Sequence, residues 1–447
     1  MSLGTRLEKL LEDVRSSLWF VPSLMTIASF VLSLVALRLD LDHQFPDDAW
    51  YIFSGGPAGA GSVLSTIAGS MIGVTGVTFS ITVVALSLAS QQFGPRLLRN
   101  FMSDRSVQIV LGTFIATFVF CLLGLQAIDR TAELNQVPRL SVSIGFGLAL
   151  ASLAVLIYFI HHITRSIQAE TVLANVSNEM HQAMDKLYPA TLGEAGPEDE
   201  REVAIPPFEA EGFTVRSRHS GYLQAIDEDE VMELAVKHDL VLEIAKHPGE
   251  FVAHGAPVLR AWPGSRVDER LGKRLEGIFV VGSRKTPQQD LAFVFEQLVE
   301  VAVRALSPGV NDPYTAVSAI DRLGDGLAHL ACRRLPSPHR EDETGSLRLV
   351  VSRMTFEAVV DLSLNPLRRH GATDVAVAHR LLVRLGDLAG SMRTGDRRVR
   401  HLADHAARVH LEAAAEVQAR ADRDLLDSAH RRVVAIAAER MAERAER

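Results

Sequence analysis

Charge is missing from four long stretches of this 447-residue chain, and cysteine from nearly all of it. Only Cys121 and Cys332 are present. Cys121 sits inside an apolar run, so neither a disulfide framework nor a zinc cluster is expected. Basic excess is absent too: the net charge of -8 speaks against a general nucleic-acid role. Catalytic signatures are equally scarce. There is no His-Glu-x-x-His, no Gly-x-Ser-x-Gly and no Cys-x-x-Cys. "GGPAGAGS" hints at a phosphate loop, but Ser62 follows Gly61 where such a loop needs Lys. An enzyme is therefore not expected, and neither a cofactor nor a metal is predicted.

The charge-free stretches are Ser16–Leu37, Gly55–Gln92, Ser106–Ile128 and Leu140–Ile160. Each reaches the roughly 20 residues that cross a hydrocarbon core about 30 Å thick. The first is too long for a signal peptide and has no small-residue cleavage site after it. Basic residues set the orientation. Arg6, Lys9 and Arg15 precede the first span, Arg96, Arg99 and Arg105 lie between the second and third, and Arg165 follows the fourth. The loop "DLDHQFPDDAW" carries Asp40, Asp42, Asp47 and Asp48 instead. The expectation is a multi-pass protein of the inner membrane with both termini in the cytoplasm. No acidic or basic residue lies inside a span, which argues against a proton-coupled pump.

The second span is crowded with Gly, Ser and Thr. Gly69, Gly73 and Gly76 suit close helix packing. Ser65, Thr75, Thr78, Thr82 and Ser87 are candidates for lining a pathway, where hydroxyls replace ion hydration. Arg96 and Arg99 would mark its cytoplasmic mouth. These hydroxyls do not all share one helical face. The plainer alternative is a tightly packed helix whose small residues only admit its neighbours.

After His161 and His162, which suit the membrane edge, a helix continues through Ile163, Ile167, Val172 and Val176. "GEAGPEDEREVAIPP" reads as a linker. Phe213 to Trp262 reads as β-rich, with a short helix at "EDEVMELAVKHD" and a turn at Ser220-Gly221. Pro248 to Val258 resembles the glycine turn of barrel-sandwich folds such as biotinyl and lipoyl domains. The modifiable Lys has no counterpart, so the resemblance implies shape only; His247 and His254 are taken as surface residues. The remainder is helical: an amphipathic "QQDLAFVFEQLVEVAVRAL", then Thr355–Arg369, Thr373–Ser391, Asp396–Arg420 and Asp422–Arg447. The last two alternate acidic and basic residues and suit packing on a bundle or on neighbouring subunits.

"RALSPGVNDPYTAVSAIDRL" looks built to hold something. Asp312 suits an N-cap, Pro313 the first helical turn, and Pro308-Gly309 the end of the preceding helix. Ser307 and Asn311 are left as polar groups free to bind an ion or to lock the turn. A helix-junction lock made of Ser307, Asn311, Asp312 and Pro313 is the favoured reading.

"GSRKTPQQDLAFVFEQLVEVAVRALSPGVNDPYTA" and "GVTFSITVVALSLASQQFGPRLLRNF" together closely resemble the bacterial predicted membrane proteins called domain of unknown function 2254. The likeness runs from the first span to the late helices. The family pattern has Arg where this chain has Lys285, which weakens any carboxylate- or phosphate-clamping role there. Membership implies no activity.

The expected fold is an α-helical integral membrane protein of four spans with a cytosolic α+β portion. That portion would combine a small barrel-sandwich-like β module with a helical bundle. The expected divisions are 1–165 for the spans, 166–205 for helix and linker, 206–265 for the β module and 266–447 for the helical part. The favoured function is a homo-oligomeric channel or pore with a cytosolic regulatory region, its partners being membrane lipid, further copies and a permeating ion. The rival is a non-conducting scaffold or sensor whose cytosolic part binds a partner.

Overall fold

Four long helices form where charge is missing. They are α1 (Phe20–Asp42), α2 (Pro57–Phe93), α3 (Arg105–Ala132) and α4 (Arg139–Ser166). All four are long and apolar enough to cross a membrane. This computed structural model describes residues 17–42, 52–94, 96, 104–132, 137–187, 205–287, 289–333, 337–351 and 354–442. The chain divides into two units, with the break between Thr171 and Val172.

In the first unit α3 is the central helix. Its Phe114, Phe120 and Cys121 are fully enclosed, packing with Leu64 of α2 and with Val142 and Phe159 of α4. Glycines on α3 and α4 allow this approach. A methyl group at Gly145 would stand 2.8 Å from Leu64 Cδ2, one at Gly124 2.9 Å from Leu64 Cδ1, and one at Gly112 2.5 Å from Met25 Sδ. Inter-helix packing without a hydrophobic driving force depends on such small residues.

The second unit begins with α5, whose range Ala169–Leu187 straddles the break. Two sheets follow. β1 (Phe213–Arg216), β3 (Val241–Ile244) and β5 (Pro257–Trp262) join β7 (His339–Glu341) and β8 (Leu347–Val351) in the order β1-β5-β3-β8-β7. β2 (Gly221–Ile226), β4 (Phe251–Val252) and β6 (Phe279–Gly282) form the order β4-β2-β6. The helices α6 (Glu228–Lys237) and α7 (Glu269–Glu276) contribute Val231, Leu234, Leu271 and Leu275 to the core shared with both sheets.

The expected barrel-sandwich-like module is overturned here, because neither sheet closes into a barrel. β1 and β7 stand at opposite edges of the larger sheet, and closure would require them to pair. The turn that suggested the barrel carries the chain from β4 in one sheet to β5 in the other, with Gly249 and Gly255 at positive φ. The strands flanking Ser220-Gly221 likewise part company, β1 to one sheet and β2 to the other. β8 runs parallel to β3, pairing Leu242 with Leu349, so part of the larger sheet comes from about a hundred residues further on.

The remaining helices are α8 (Leu291–Ala305), α9 (Pro313–Ala331), α10 (Phe356–Gly371), α11 (Val375–Ser391), α12 (Arg398–Glu416) and α13 (Arg420–Ala442). α8 is amphipathic, as its spacing predicts: the half-buried Glu296, Glu300, Val303 and Arg304 share one face, and the remaining residues from Leu291 through Ala305 are buried. Met180 of α5 lies over Gly326 of α9, beside Phe295 of α8. α13 lays Val433 and Ile436 against Gly386 of α11.

Candidate functional site

Pro57 opens α2 in the position where a missing N–H costs nothing, and Gly94 ends it at φ +107. Its 37 residues extend about 55 Å, well beyond a hydrocarbon core. At 3.6 residues per turn, the buried Ala60, Leu64, Ala68, Thr78, Ala85, Ala89 and Phe93 fall on one side. That side meets α3 and α4 of the same chain.

The glycines lie roughly half a turn round from it. Gly69, Gly73 and Gly76 are exposed, and a methyl group at any of them would meet nothing within 4 Å among the described residues beyond its own helix backbone. Ser62, Ser80 and Ser87 share this bare side, with Ser65 at its margin, and all four are exposed. Within one chain, close packing therefore uses Gly112, Gly124 and Gly145, which the reading of the sequence did not single out.

The five candidate hydroxyl residues divide between the two sides. Thr78 is buried and Thr75 and Thr82 are half-buried towards the chain's own helices. Thr75 Oγ1 donates to Met71 O at 2.6 Å and Thr82 Oγ1 to Thr78 O at 2.9 Å. These hydroxyls are satisfied by the helix backbone, as a low-dielectric setting demands. Ser80 on the bare side does the same, donating to Gly76 O at 2.9 Å. Arg96 is exposed just beyond the helix, and Arg99 lies outside the described residues.

Polar contacts pin the helices at both ends of this unit. Asp40 accepts from the backbone N–H groups of Leu140 and Ser141 and from the Ser141 hydroxyl. Asp104 begins α3 by accepting from Ser106 N at 2.8 Å, and its other oxygen lies 2.6 Å from His162 Nε2. Tyr158, stacked on His162, donates to the Ser106 hydroxyl. Between these ends, Thr117 and Ser152 share a buried hydrogen bond of 3.0 Å, and Ser29 donates to Ala116 O at 2.6 Å. His161 and His162 thus do different work, and His162 acts as a helix-to-helix tie.

The junction at Asp312 is made of local hydrogen bonds. Asp312 Oδ1 accepts from Thr315 N at 3.1 Å, and its Oδ2 from the Thr315 hydroxyl. Pro313 is the first helical residue of α9. α8 stops at Ala305, ahead of Pro308 and Gly309, and the Ser307 hydroxyl donates to Arg304 O at 2.6 Å. The residue with left-handed backbone is Asn311, at φ +49, and its N–H donates to Ser307 O. Asn tolerates that conformation better than most side chains. The turn is exposed, with Tyr314 84% accessible. Towards the other end of α8, Lys285 Nζ lies 3.1 Å from Glu296.

Residues 15–387 match the family described as Predicted membrane protein (DUF2254). The uncharacterized proteins Rv1290c of Mycobacterium tuberculosis and Mb1321c of Mycobacterium bovis are each 31% identical to the chain over 456 residues. Those alignments cover all of this chain and 84% of each relative. No solved structure matches. The family is described as one of predicted membrane proteins. With four spans, the protein is a multi-pass membrane protein. Side chains such as Ile72, Val77, Val84, Phe146, Leu150 and Ile157 turn outward to contact lipid.

Proposed function

We propose, for a chain that belongs to the DUF2254 family of predicted membrane proteins, that several copies assemble in the inner membrane into a channel or pore faced by α2. The bare side of α2 carries this reading. A methyl group at Gly69, Gly73 or Gly76 would meet nothing within 4 Å among the described residues beyond its own helix backbone, and Ser62, Ser65, Ser80 and Ser87 are exposed around them. Lipid tails gain nothing from glycine and serine. A second copy gains close backbone approach, and a permeating ion gains hydroxyl groups in place of water. Thr75, Thr78 and Thr82, on the opposite side, then support the wall from behind. Basic residues near the span ends put both termini and the second unit in the cytoplasm, where that unit regulates the pathway. Arg96 and Arg99 at the inner mouth raise the local concentration of anions, which makes an anion the favoured permeant.

Purified protein reconstituted in planar bilayers tests this. The parent should pass current. Ser80→Val should change the unitary conductance, and Arg96→Glu should shift the reversal potential towards cations. Silence under voltage, tension and varied pH, from protein shown to be oligomeric, would refute conduction and favour the scaffold or sensor.

A further inference from the structure

Two helices of the second unit, α10 and α12, are joined by a polar cluster that breaks their apolar faces. α12 buries Val399, Leu402, Ala406 and Val409, and His405 interrupts that run with no accessible surface at all. α10 buries Val359, Val360, Leu364 and Leu367 and carries Asp361. His405 Nε2 stands 2.7 Å from Asp361 Oδ1. His401, one turn earlier on α12, brings its own Nε2 to within 3.0 Å of the same oxygen. The two rings meet edge to face with centroids 4.9 Å apart. All three ligating atoms lie within 4.8 Å of one another.

A buried histidine is an expensive way to hold two helices together, and here Nδ1 of His405 has no hydrogen-bond partner among the described residues. Two imidazole nitrogens aimed at one carboxylate oxygen form a set of two nitrogen donors and one oxygen donor. Histidines at i and i+4 on one helix, completed by a carboxylate from another, suit a borderline divalent ion bound at about 2.0–2.2 Å. Opening the cluster by a few tenths of an ångström would admit it. The Asp361 side chain is 44% exposed, so an ion has a route from water and solvent can complete its coordination.

We propose that Asp361, His401 and His405 bind a divalent transition-metal ion of the zinc class, which ties α10 to α12. The inference does not depend on whether the protein conducts. The ion's attraction to three ligands on two helices adds to apolar packing that already brings them together. Its occupancy therefore sets how firmly this part of the second unit is held.

Full-length protein without a polyhistidine tag, stripped by chelator in detergent, provides the test. Equilibrium dialysis against Zn2+ should load one equivalent per chain at this cluster and raise the thermal midpoint. Co2+ should give a visible d–d absorption band. Asp361→Asn and His401→Ala should each weaken zinc binding at least about tenfold and abolish the cobalt band. His410→Ala, which alters the separate stacked pair of His410 with His430 of α13, should leave both unchanged. Circular dichroism of the metal-free variants establishes that they are folded, and the cobalt spectrum of the parent needs no variant. A parent that loads no zinc and gives no cobalt band would overturn the proposal. So would zinc binding unaltered by both cluster substitutions.

Discussion

Asp40, in the last turns of α1, takes both the backbone N–H and the hydroxyl of Ser141 on one carboxylate oxygen, at 2.9 and 2.6 Å. Its other oxygen takes the Leu140 N–H at 2.8 Å. The first turn of a helix leaves N–H groups without partners, and here a carboxylate from another helix supplies them. Asp40→Ala should cost about 0.5–2 kcal/mol, comparable with the loss of an N-cap. Asp40→Asn, which retains one acceptor, should fall between the two. Thermal unfolding in detergent reads the difference, and equal midpoints for Asp40→Ala and the parent would count against this tie.

Asp290 caps α8 by accepting from Phe293 N at 3.0 Å, yet its second oxygen is buried with no hydrogen-bond partner among the described residues. Burial pushes its carboxyl up to about 6, against the opposing pull of the Phe293 N–H and Lys285. A carboxyl raised on folding contributes stability that is complete below its unfolded value near 3.8. That contribution is lost as pH rises through about 6. Asn caps as well as Asp and cannot ionise. Asp290→Asn should therefore gain on the order of 2–3 kcal/mol at pH 7.5 and almost nothing at pH 4. Denaturant unfolding at the two pH values measures this; a gain of equal size at both would show that ionisation is not its source.

Gly145 and Gly73 should respond in opposite ways to the same change. Leucine at 145 has to displace Leu64 and should destabilise each chain by about 1–3 kcal/mol. A Cβ at 73 meets nothing within 4 Å among the described residues, so Gly73→Leu should keep the parent's thermal midpoint while reducing its assembled size. Light scattering coupled to gel filtration reports size independently of stability. An unchanged size for Gly73→Leu would remove this side of α2 from any interface.

How much of this could be read along the chain depended on range. The four spans were legible because an unbroken lack of charge is a local signal. The Asp312-Pro313 cap was legible for the same reason, since its donor Thr315 is three residues away. The sheets were not. Leu242 pairs with Leu349, and no turn residue near either strand announces it. The turn around Gly249 and Gly255 looked like part of a barrel because its backbone demands are local, whereas closure is decided by distant partners. Gly69, Gly73 and Gly76 stood out by spacing, while Gly124 and Gly145 owe their importance to a Leu64 far away in sequence. At α12 a clue was available in the i, i+4 spacing of His401 and His405. Asp361, forty residues earlier on another helix, carried no mark of its own.

The ties at the two ends of α4 also bear on the surrounding lipid. Ser141 and His162 are held by Asp40 and Asp104, at points roughly 32 Å apart along the helix axis. That distance is close to the thickness of a hydrocarbon core. A helix free at one end adapts to a thinner or thicker bilayer by swivelling. α4, fastened at both ends to different parts of its own chain, has little freedom to do so. Thickness mismatch must therefore be absorbed by the acyl chains, and the protein should sort towards, or deform, membranes according to their depth.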